Sequence, residues 1–344
     1  MNPEITLDQT MSLPAGFTVR PGSLDDYKIF FDLINACSLD LLGCVDLVDP
    51  ELVRNDWQEP NFDMERSTRM VFAPDGTLAG ALEVWDTSTP PVHPWIWFRV
   101  HPDYTDSGLD DALLDWGEAR ATQALERVPE GIRFAPRTGF PAQFTRYKEL
   151  VESRGYKYDR SFYRMETEFD TPPEMPPMPQ GITIRTFNPE AELETVVHTI
   201  IESFRDHYGF VEHPFEEEME NFRHHFLNDP LYDPILWFVA MDGDQMAGIS
   251  LCRLEDYEKP DFGHINIVGV QREWRKRGIA SALMKVSFAA LHERGKKGAA
   301  LGVDADSLTG ALKIYERVGM HAARQYDNYE KELRAGEEIS TRDL

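Results

Sequence analysis

At 344 residues the chain is longer than a typical single domain and comfortable for two, and 42% hydrophobic residues allow each half a core of its own. A formal net charge of -25 argues against a nucleic-acid partner, which calls for a basic face, and favours cationic partners such as amines. No apolar run approaches the ~20 residues of a membrane-spanning helix, and three cysteines without a CxxC pair (Cys37, Cys44, Cys252) read as reduced thiols of a cytoplasmic protein.

The opening segment MNPEITLDQTMSLPAGF has no basic region followed by an apolar stretch, so no secretory leader is expected. FTVRPGSLDDYKIFFDLI (17–34) reads as an alternating strand running into a helix, and MVFAPDGTLAGALEVW (70–85) as two strands around an Asp-Gly turn. WFRVHPDYTDSGLDDALLDW (97–116) then reads as strand, loop and helix, and ESRGYKYDRSFYRMETEF (152–169) brings the series to a close. TPPEMPPMPQG (171–181) is a proline-rich, stiff linker.

Beyond it the same series returns as ITIRTFNPEAELETVVHTI (182–200), WFVAMDGDQMAGISLCRL (237–254), NIVGVQREWRKRGIASALMK (266–285) and ERVGMHAARQYDNYEKEL (316–333). The separations hold nearly constant: 165 from Arg20 to Arg185, 168 from Gly80 to Gly248, 170 from Gly108 to Gly278 and 164 from Gly155 to Gly319. Four segments in register imply two copies of one mixed α/β domain, expected over 1–170 and 182–335 with the linker between them and a polar, frayed tail over 336–344.

In the second copy HINIVGV (264–270) is a β-branched strand, QREW connects it onward, and RKRGIA (275–280) leads into a helix ended near Gly295. Ile279, Leu283, Val286 and Ala290 share one helical face. A helix N-terminus presents unpaired N–H groups and partial positive charge. Gly278 lets an anion approach the backbone, and Arg275, Lys276 and Arg277 add charge, a combination suited to a pyrophosphate.

This loop, followed by LGVDADSLTGALKIYERVGM (301–320), resembles the GNAT superfamily of acyl-CoA-dependent N-acetyltransferases. The family's Arg/Gln-x-x-Gly-x-Gly/Ala pattern is met by Arg275, Gly278 and Ala280, and its later signature by Ala311, Tyr315 and Gly319-Met320, with Ser307 where an Asn is usual. The two-copy arrangement resembles tandem members such as mycothiol synthase. The resemblance implies two tandem GNAT folds, α/β with a mixed sheet, and acetyl-CoA as co-substrate without a metal. Its pyrophosphate would lie on the loop from Arg275 through Lys276, Arg277, Gly278, Ile279 and Ala280 to Ser281, with Ser307 nearby. Its pantetheine arm would follow the strand at Val268, Gly269 and Val270. A bulge would part that strand from its neighbour, with Gly269 consistent with one, and the N–H near Val268 would polarise the acetyl carbonyl.

Acetyl transfer to an amine requires a proton acceptor, a stabilised oxyanion and a proton donor for the departing thiolate. The resemblance assigns the donor to Tyr315. Period two puts His264, Asn266 and Val268 on one face. His264 stands about where other members carry a carboxylate, which makes it a candidate base, with Asp261, Glu255 or ordered water as alternatives. Asp206 and Tyr208, in ESFRDHYGFVEHPFEEEMENFRHHF (202–226), suit an ammonium-bearing acceptor. His207, His213, His224 and His225 lack a metal-ligand spacing.

The first copy keeps Gly108 but has TDSGLD (105–110) for RKRGIA, with Asp103, Asp106, Asp110 and Asp111 around it, and Val151 opposite Tyr315. Like charge there repels a polyanion, so this copy is expected to be degenerate. The sequence thus reads as an acetyl-CoA-dependent N-acetyltransferase whose second copy attacks the thioester directly with the primary amine of a small molecule. A non-catalytic acyl-CoA-binding or regulatory protein, or a protein or peptide acetyltransferase, stays open. No nucleic-acid or membrane partner is expected, and the oligomeric state is open.

Overall fold

The computed structural model describes residues 11–342 except 176, 308 and 309. In chain order the elements are β1 (Thr18–Arg20), α1 (Tyr27–Leu42), α2 (Glu51–Asp56), α3 (Met64–Ser67), β2 (Thr68–Phe72), β3 (Leu78–Trp85), β4 (Trp95–Val100), α4 (Leu109–Gln123), β5 (Arg137–Pro141), α5 (Thr145–Ser153) and β6 (Lys157–Glu168). They continue as β7 (Ile182–Thr186), α6 (Pro189–Phe204), α7 (Phe215–Phe222), β8 (Trp237–Asp242), β9 (Gln245–Arg253), β10 (Phe262–Val270), α8 (Ile279–Glu293), β11 (Gly298–Asp304), α9 (Ala311–Arg317) and β12 (His321–Glu330). None of the helices among the described residues is long and apolar enough to cross a membrane.

The described residues fall into two compact units, one within Met1–Asp159 and Tyr326–Ile339, the other within Arg160–Gln325 and Ser340–Leu344. In the first unit the sheet runs β1-β2-β3-β4-β5 and is completed by the end of β12, with Tyr326 opposite Pro141 and Glu330 opposite Arg137. In the second it runs β7-β8-β9-β10-β11 and is completed by the end of β6, with Phe162 opposite Asp304 and Glu168 opposite Gly298. The closing strand of each sequence copy therefore finishes the other copy's sheet. The packed units do not follow the linear division at 170–182, because strand exchange is a matter of pairing that a repeat pattern does not encode. The proline-rich stretch joins β6 to β7, two strands of the same unit.

Both sheets are mixed: β4–β5 and β10–β11 are parallel, the other pairings within each unit antiparallel. Asp75-Gly76 lies in the first hairpin turn and Gly243-Asp244 makes the second, closed by the pairing of Asp242 with Gln245, and both glycines are left-handed. In the second unit α6 and α7 bury Val196, Val197, Met219 and Phe222 against Trp237, Ile249 and Leu251. On the opposite face α8 packs Met284, Phe288 and Leu291 against Ile265, Ala299 and Leu301. Helices on both faces leave the strand ends and strand gaps as the places where a ligand can reach backbone.

The tail expected to fray over 336–344 is held in place as far as Arg342, residues 343 and 344 lying outside the described residues. Glu337 N donates to Gly131 O at 2.7 Å, Arg133 N donates to Glu337 O at 2.8 Å, and Thr341 N donates to Phe210 O at 2.8 Å. Arg133 also ties Glu330 and Glu338 together. A polar tail stays ordered when its backbone groups and charges find partners, and composition alone does not show that they do.

Candidate active site

Strands β10 and β11 pair only at their starts, Phe262 to His264 against Gly298 to Ala300; β10 then runs on to Val270 and β11 to Asp304 without pairing. Each keeps its outer neighbour, β9 on one side and β6 on the other. Beyond His264 the edge of β10 that faces away from β9 is thus left with backbone N–H and C=O groups that have no strand partner among the described residues.

The expected bulge is present but sits elsewhere. The register against β9 slips between Ile265, opposite Cys252, and Ile267, opposite Leu251, so Asn266 is the extra residue. The slip also overturns the period-two face. His264 and Ile267 share a face with Arg253 and Leu251, while Ile265 and Val268 share the other with Cys252 and Ser250. Gly269 serves a different purpose from the one expected: a Cβ there would lie 2.8 Å from Ser203 Cβ, so glycine lets α6 approach β10.

Past Val270 the chain makes a 3₁₀ turn, Arg272–Trp274, with Trp274 buried and its indole donating to Asp242 Oδ2 at 3.0 Å. Lys276 (φ 64°) and Gly278 (φ 82°) are both left-handed, and a Cβ on Gly278 would meet nothing within 4 Å. The first backbone bond at this end of α8 is Ala282 N to Gly278 O at 3.1 Å. Among the described residues the N–H groups of Gly278, Ile279, Ala280 and Ser281 have no protein partner.

The basic side chains behave differently from the expectation that all three surround an anion. Arg275 turns inward, with Nη1 donating to Asp206 Oδ2 at 2.6 Å, Nη2 to Ser203 O at 3.1 Å and Nε to Val270 O at 3.1 Å. It braces the loop against α6. Arg277 donates to Asp242 Oδ2 and Gln180 O, each at 3.0 Å. Lys276 is exposed. Ser307 accepts at Oγ from Ala311 N at 3.4 Å, at the start of α9, while its neighbours Leu308 and Thr309 lie outside the described residues.

Asp206 and Tyr208 are likewise not available as drawn from the sequence. Asp206 is buried and held by Arg272 and Arg275, whose hydrogen bonds keep its carboxyl below the usual carboxylate range against the opposing pull of burial. Tyr208 is engaged by two guanidiniums, with Arg160 Cζ 4.1 Å and Arg342 Cζ 4.9 Å from its ring centroid and Arg342 donating to its hydroxyl. The acidic and aromatic character legible in sequence is spent on arginines, most of them distant in the chain.

Tyr315 projects from α9 into the cluster of Met165, Ile265, Met284 and Met320. Burial pushes its phenol well above its ordinary value, and its hydroxyl has no protein partner among the described residues. His264 has a partner that the sequence did not reveal. Its Nδ1 lies 2.8 Å from Oδ2 of Asp256, a carboxylate with no exposed surface. Asp256 Oδ1 accepts Glu258 N and Lys259 N, each at 3.0 Å. Arg164 donates through Nη2 to Oδ1 at 2.6 Å and through Nη1 to Oδ2 at 3.1 Å. These bonds hold Asp256 ionised, far below the usual carboxylate range. An ionised Asp256 can only accept, so His264 carries its proton on Nδ1 and keeps a lone pair on Nε2. Burial also lowers the histidine's own pKa, an effect larger than the opposing pull of Asp256. The imidazole is therefore neutral at pH 7 and fit to accept a proton.

Beside this pair, Phe226, Tyr232, Trp237, Arg253 and Asn266 line a small recess. Tyr257 connects the two: its hydroxyl accepts from Asn266 Nδ2 at 3.0 Å and its ring stands edge-on to His264. Asn266 Oδ1 and the Tyr232 hydroxyl are buried in the recess wall without a hydrogen bond to protein among the described residues.

The first unit repeats the frame without the opening. β4 meets β5 only at Trp95 and Arg137, and Gly108 (φ 80°) again caps the following helix. Here, however, Val100 N donates to the Tyr147 hydroxyl at 3.1 Å, and Tyr147 packs against Phe98, Phe140 and Phe144. Arg99 is buried over Trp97, Phe144 and Tyr147. Asp110 and Asp111 in the first turn of α4 pair with Arg146 and Arg154.

The Acetyltransferase (GNAT) family matches residues 197–320. A solved structure of a GCN5-related N-acetyltransferase from Sphaerobacter thermophilus is 31% identical with a TM-score of 0.80, covering 96% of this chain and 100% of that one. The chain belongs to the GNAT acetyltransferase family. A mycothiol acetyltransferase from Thermobispora bispora is 26% identical over 255 residues, 73% of this chain and 79% of that one. A tandem GNAT protein from the clavulanic acid biosynthesis pathway, 14% identical with a TM-score of 0.68, covers 93% of this chain and 100% of that one and shares the fold. The protein is thus a two-domain N-acetyltransferase with the mixed α/β architecture of the GNAT family.

Proposed function

We propose that the second unit transfers an acetyl group from acetyl-CoA to the primary amine of a small molecule, by direct attack on the thioester. The observation that carries this reading is the parting of β10 from β11 beyond His264 and Ala300, next to the open N-terminus of α8 at Gly278. The unpaired N–H groups from Gly278 to Ser281, with Lys276 beside them, suit a pyrophosphate, and the free edge of β10 suits the amide groups of a pantetheine arm. Arg275 supports the loop from behind.

The acceptor ammonium gives a proton to Nε2 of His264, directly or through water, and its freed lone pair attacks the thioester carbonyl. A β10 N–H near Val268 stabilises the resulting oxyanion. The C–S bond then breaks, and the thiolate takes a proton from Tyr315, which its apolar surroundings keep protonated at neutral pH; the second N–H proton of the attacking nitrogen passes to solvent, which also returns a proton to the Tyr315 phenolate and takes up the one held by His264. The first unit binds no acetyl-CoA in this account, because Tyr147 occupies the N–H of Val100, the counterpart of Val270. The relatives named mycothiol acetyltransferase support a small-molecule amine as acceptor.

The test is thiol release from acetyl-CoA in the presence of amino sugars, aminoglycosides, polyamines, amino acids and short peptides. The reading expects turnover with at least one small amine, lowered by about 10²-fold in Tyr315→Phe while acetyl-CoA still binds. Turnover with peptides alone would contradict it.

A further inference from the structure

Arg164 belongs by sequence to the first copy, yet on β6 it lies opposite Gly302 of β11 in the second unit. Its side chain is 7% exposed and forks onto Asp256. The repeat supplies an internal comparison. Counting the 164 residues that separate Gly155 from Gly319, the counterpart of Arg164 is Asn328, which lies opposite Gly139 of β5 in the first unit. Equivalent places in the two sheets thus hold an arginine in one and an amide in the other.

We infer that Arg164 is a positioning residue for the acyl transfer, holding Asp256 in the orientation that fixes the Nδ1–H form of His264. The inference rests on the reading of His264 as the base. A guanidinium fork on a carboxylate fixes direction as well as charge. Without it the two N–H donors of Glu258 and Lys259 hold Oδ1 only, and Oδ2, which accepts the hydrogen bond from His264 Nδ1–H, loses its other donor and can turn away.

The charged groups around the pair are balanced. Arg164 and Glu166 come from β6, joined at 2.8 Å, and Glu258 and Lys259 from the loop after β9. Arg253 of β9 faces Asp229 at 2.7 Å, and Arg324 of β12 faces Glu258 at 3.0 Å. Arg164 and Arg253 both disfavour the imidazolium, and Asp256 favours it.

The experiment is NMR of the full-length chain with labelled histidine rings, the His264 signal assigned with His264→Gln, titrated in wild type, Arg164→Gln and Arg164→Lys. In wild type, His264 is in the Nδ1–H form at pH 7. In Arg164→Gln its titration midpoint moves up, on the order of one unit, as a neighbouring cation is lost, and both tautomers populate. In Arg164→Lys the charge stays and the fork goes, so the midpoint holds while the tautomers mix. Calorimetry with acetyl-CoA should give affinities within about twofold of wild type for both, since the N-terminus of α8 is untouched. Wild-type midpoint and tautomer in both variants would overturn the proposal, as would loss of acetyl-CoA binding in both, which marks a merely structural role. If Arg164→Gln does not fold, the tautomer in Arg164→Lys decides alone. Retention of turnover in His264→Gln, by contrast, refutes the base itself.

Discussion

Asp256 is eight residues before His264 in the chain, and its fully buried carboxylate meets the histidine's Nδ1 at 2.8 Å. The carboxylate sets which nitrogen is protonated, and so which is free to act. Asp256→Asn replaces an acceptor that cannot donate by an amide that can do either. The expected outcome is a fall in kcat of about 10²-fold or more with little change in acetyl-CoA affinity, measured by thiol release and calorimetry.

The acid limb of the rate profile has a defined sign. Burial holds the His264 pKa below its ordinary 6.5, so the ring is neutral at pH 7 and turns cationic only as pH falls beneath that value. Turnover should therefore be flat from pH 7 upward and drop below pH 6.5, and His264→Gln should lose this limb together with most of the rate. A limb that starts to fall well above pH 7 contradicts the assignment.

Tyr315 predicts the opposite end. Its phenol is pushed above the ordinary 10 by burial, so it stays protonated throughout the neutral and mildly alkaline range. No alkaline decline before about pH 10 is expected from this group, and Tyr315→Phe should lower kcat by about 10²-fold while retaining acetyl-CoA.

Gly278 and Gly108 offer a matched pair. Both cap a helix in the left-handed region with open space where a Cβ would go. Alanine at either should cost about 1 kcal/mol of stability through backbone strain. Only Gly278→Ala should also weaken acetyl-CoA binding, by roughly tenfold, since it alone crowds the unpaired N–H groups expected to hold phosphate. Differential scanning calorimetry and binding titrations of the two variants separate the effects.

The fold was legible where local chemistry dictates it. Gly278 before an apolar helical face, the Asp-Gly pairs and the constant spacing of four segments yielded two copies of one mixed α/β domain, and the resemblance carried by Arg275, Gly278, Ala280, Ala311 and Tyr315 supplied the GNAT fold. What was not legible depends on which side chains meet across the fold. Arg275 reads as a phosphate ligand until Asp206, 69 residues away, is seen to hold it. Tyr208 reads as an ammonium site until Arg160 and Arg342 cover its ring. The extra residue at Asn266 leaves no mark in a β-branched run, yet it moves Val268 off the face of His264. The exchange of β6 and β12 is invisible for the same reason: an alternating strand states its two faces but not its neighbour.

The most direct measurement is a crystal structure of the full chain with acetyl-CoA. The account predicts one molecule per chain, its pyrophosphate against the N–H groups from Gly278 to Ser281 and its thioester between β10 and β11, with the first unit empty around Tyr147. A carrier bound in the first unit, or one that leaves the Gly278 crevice vacant, would contradict it.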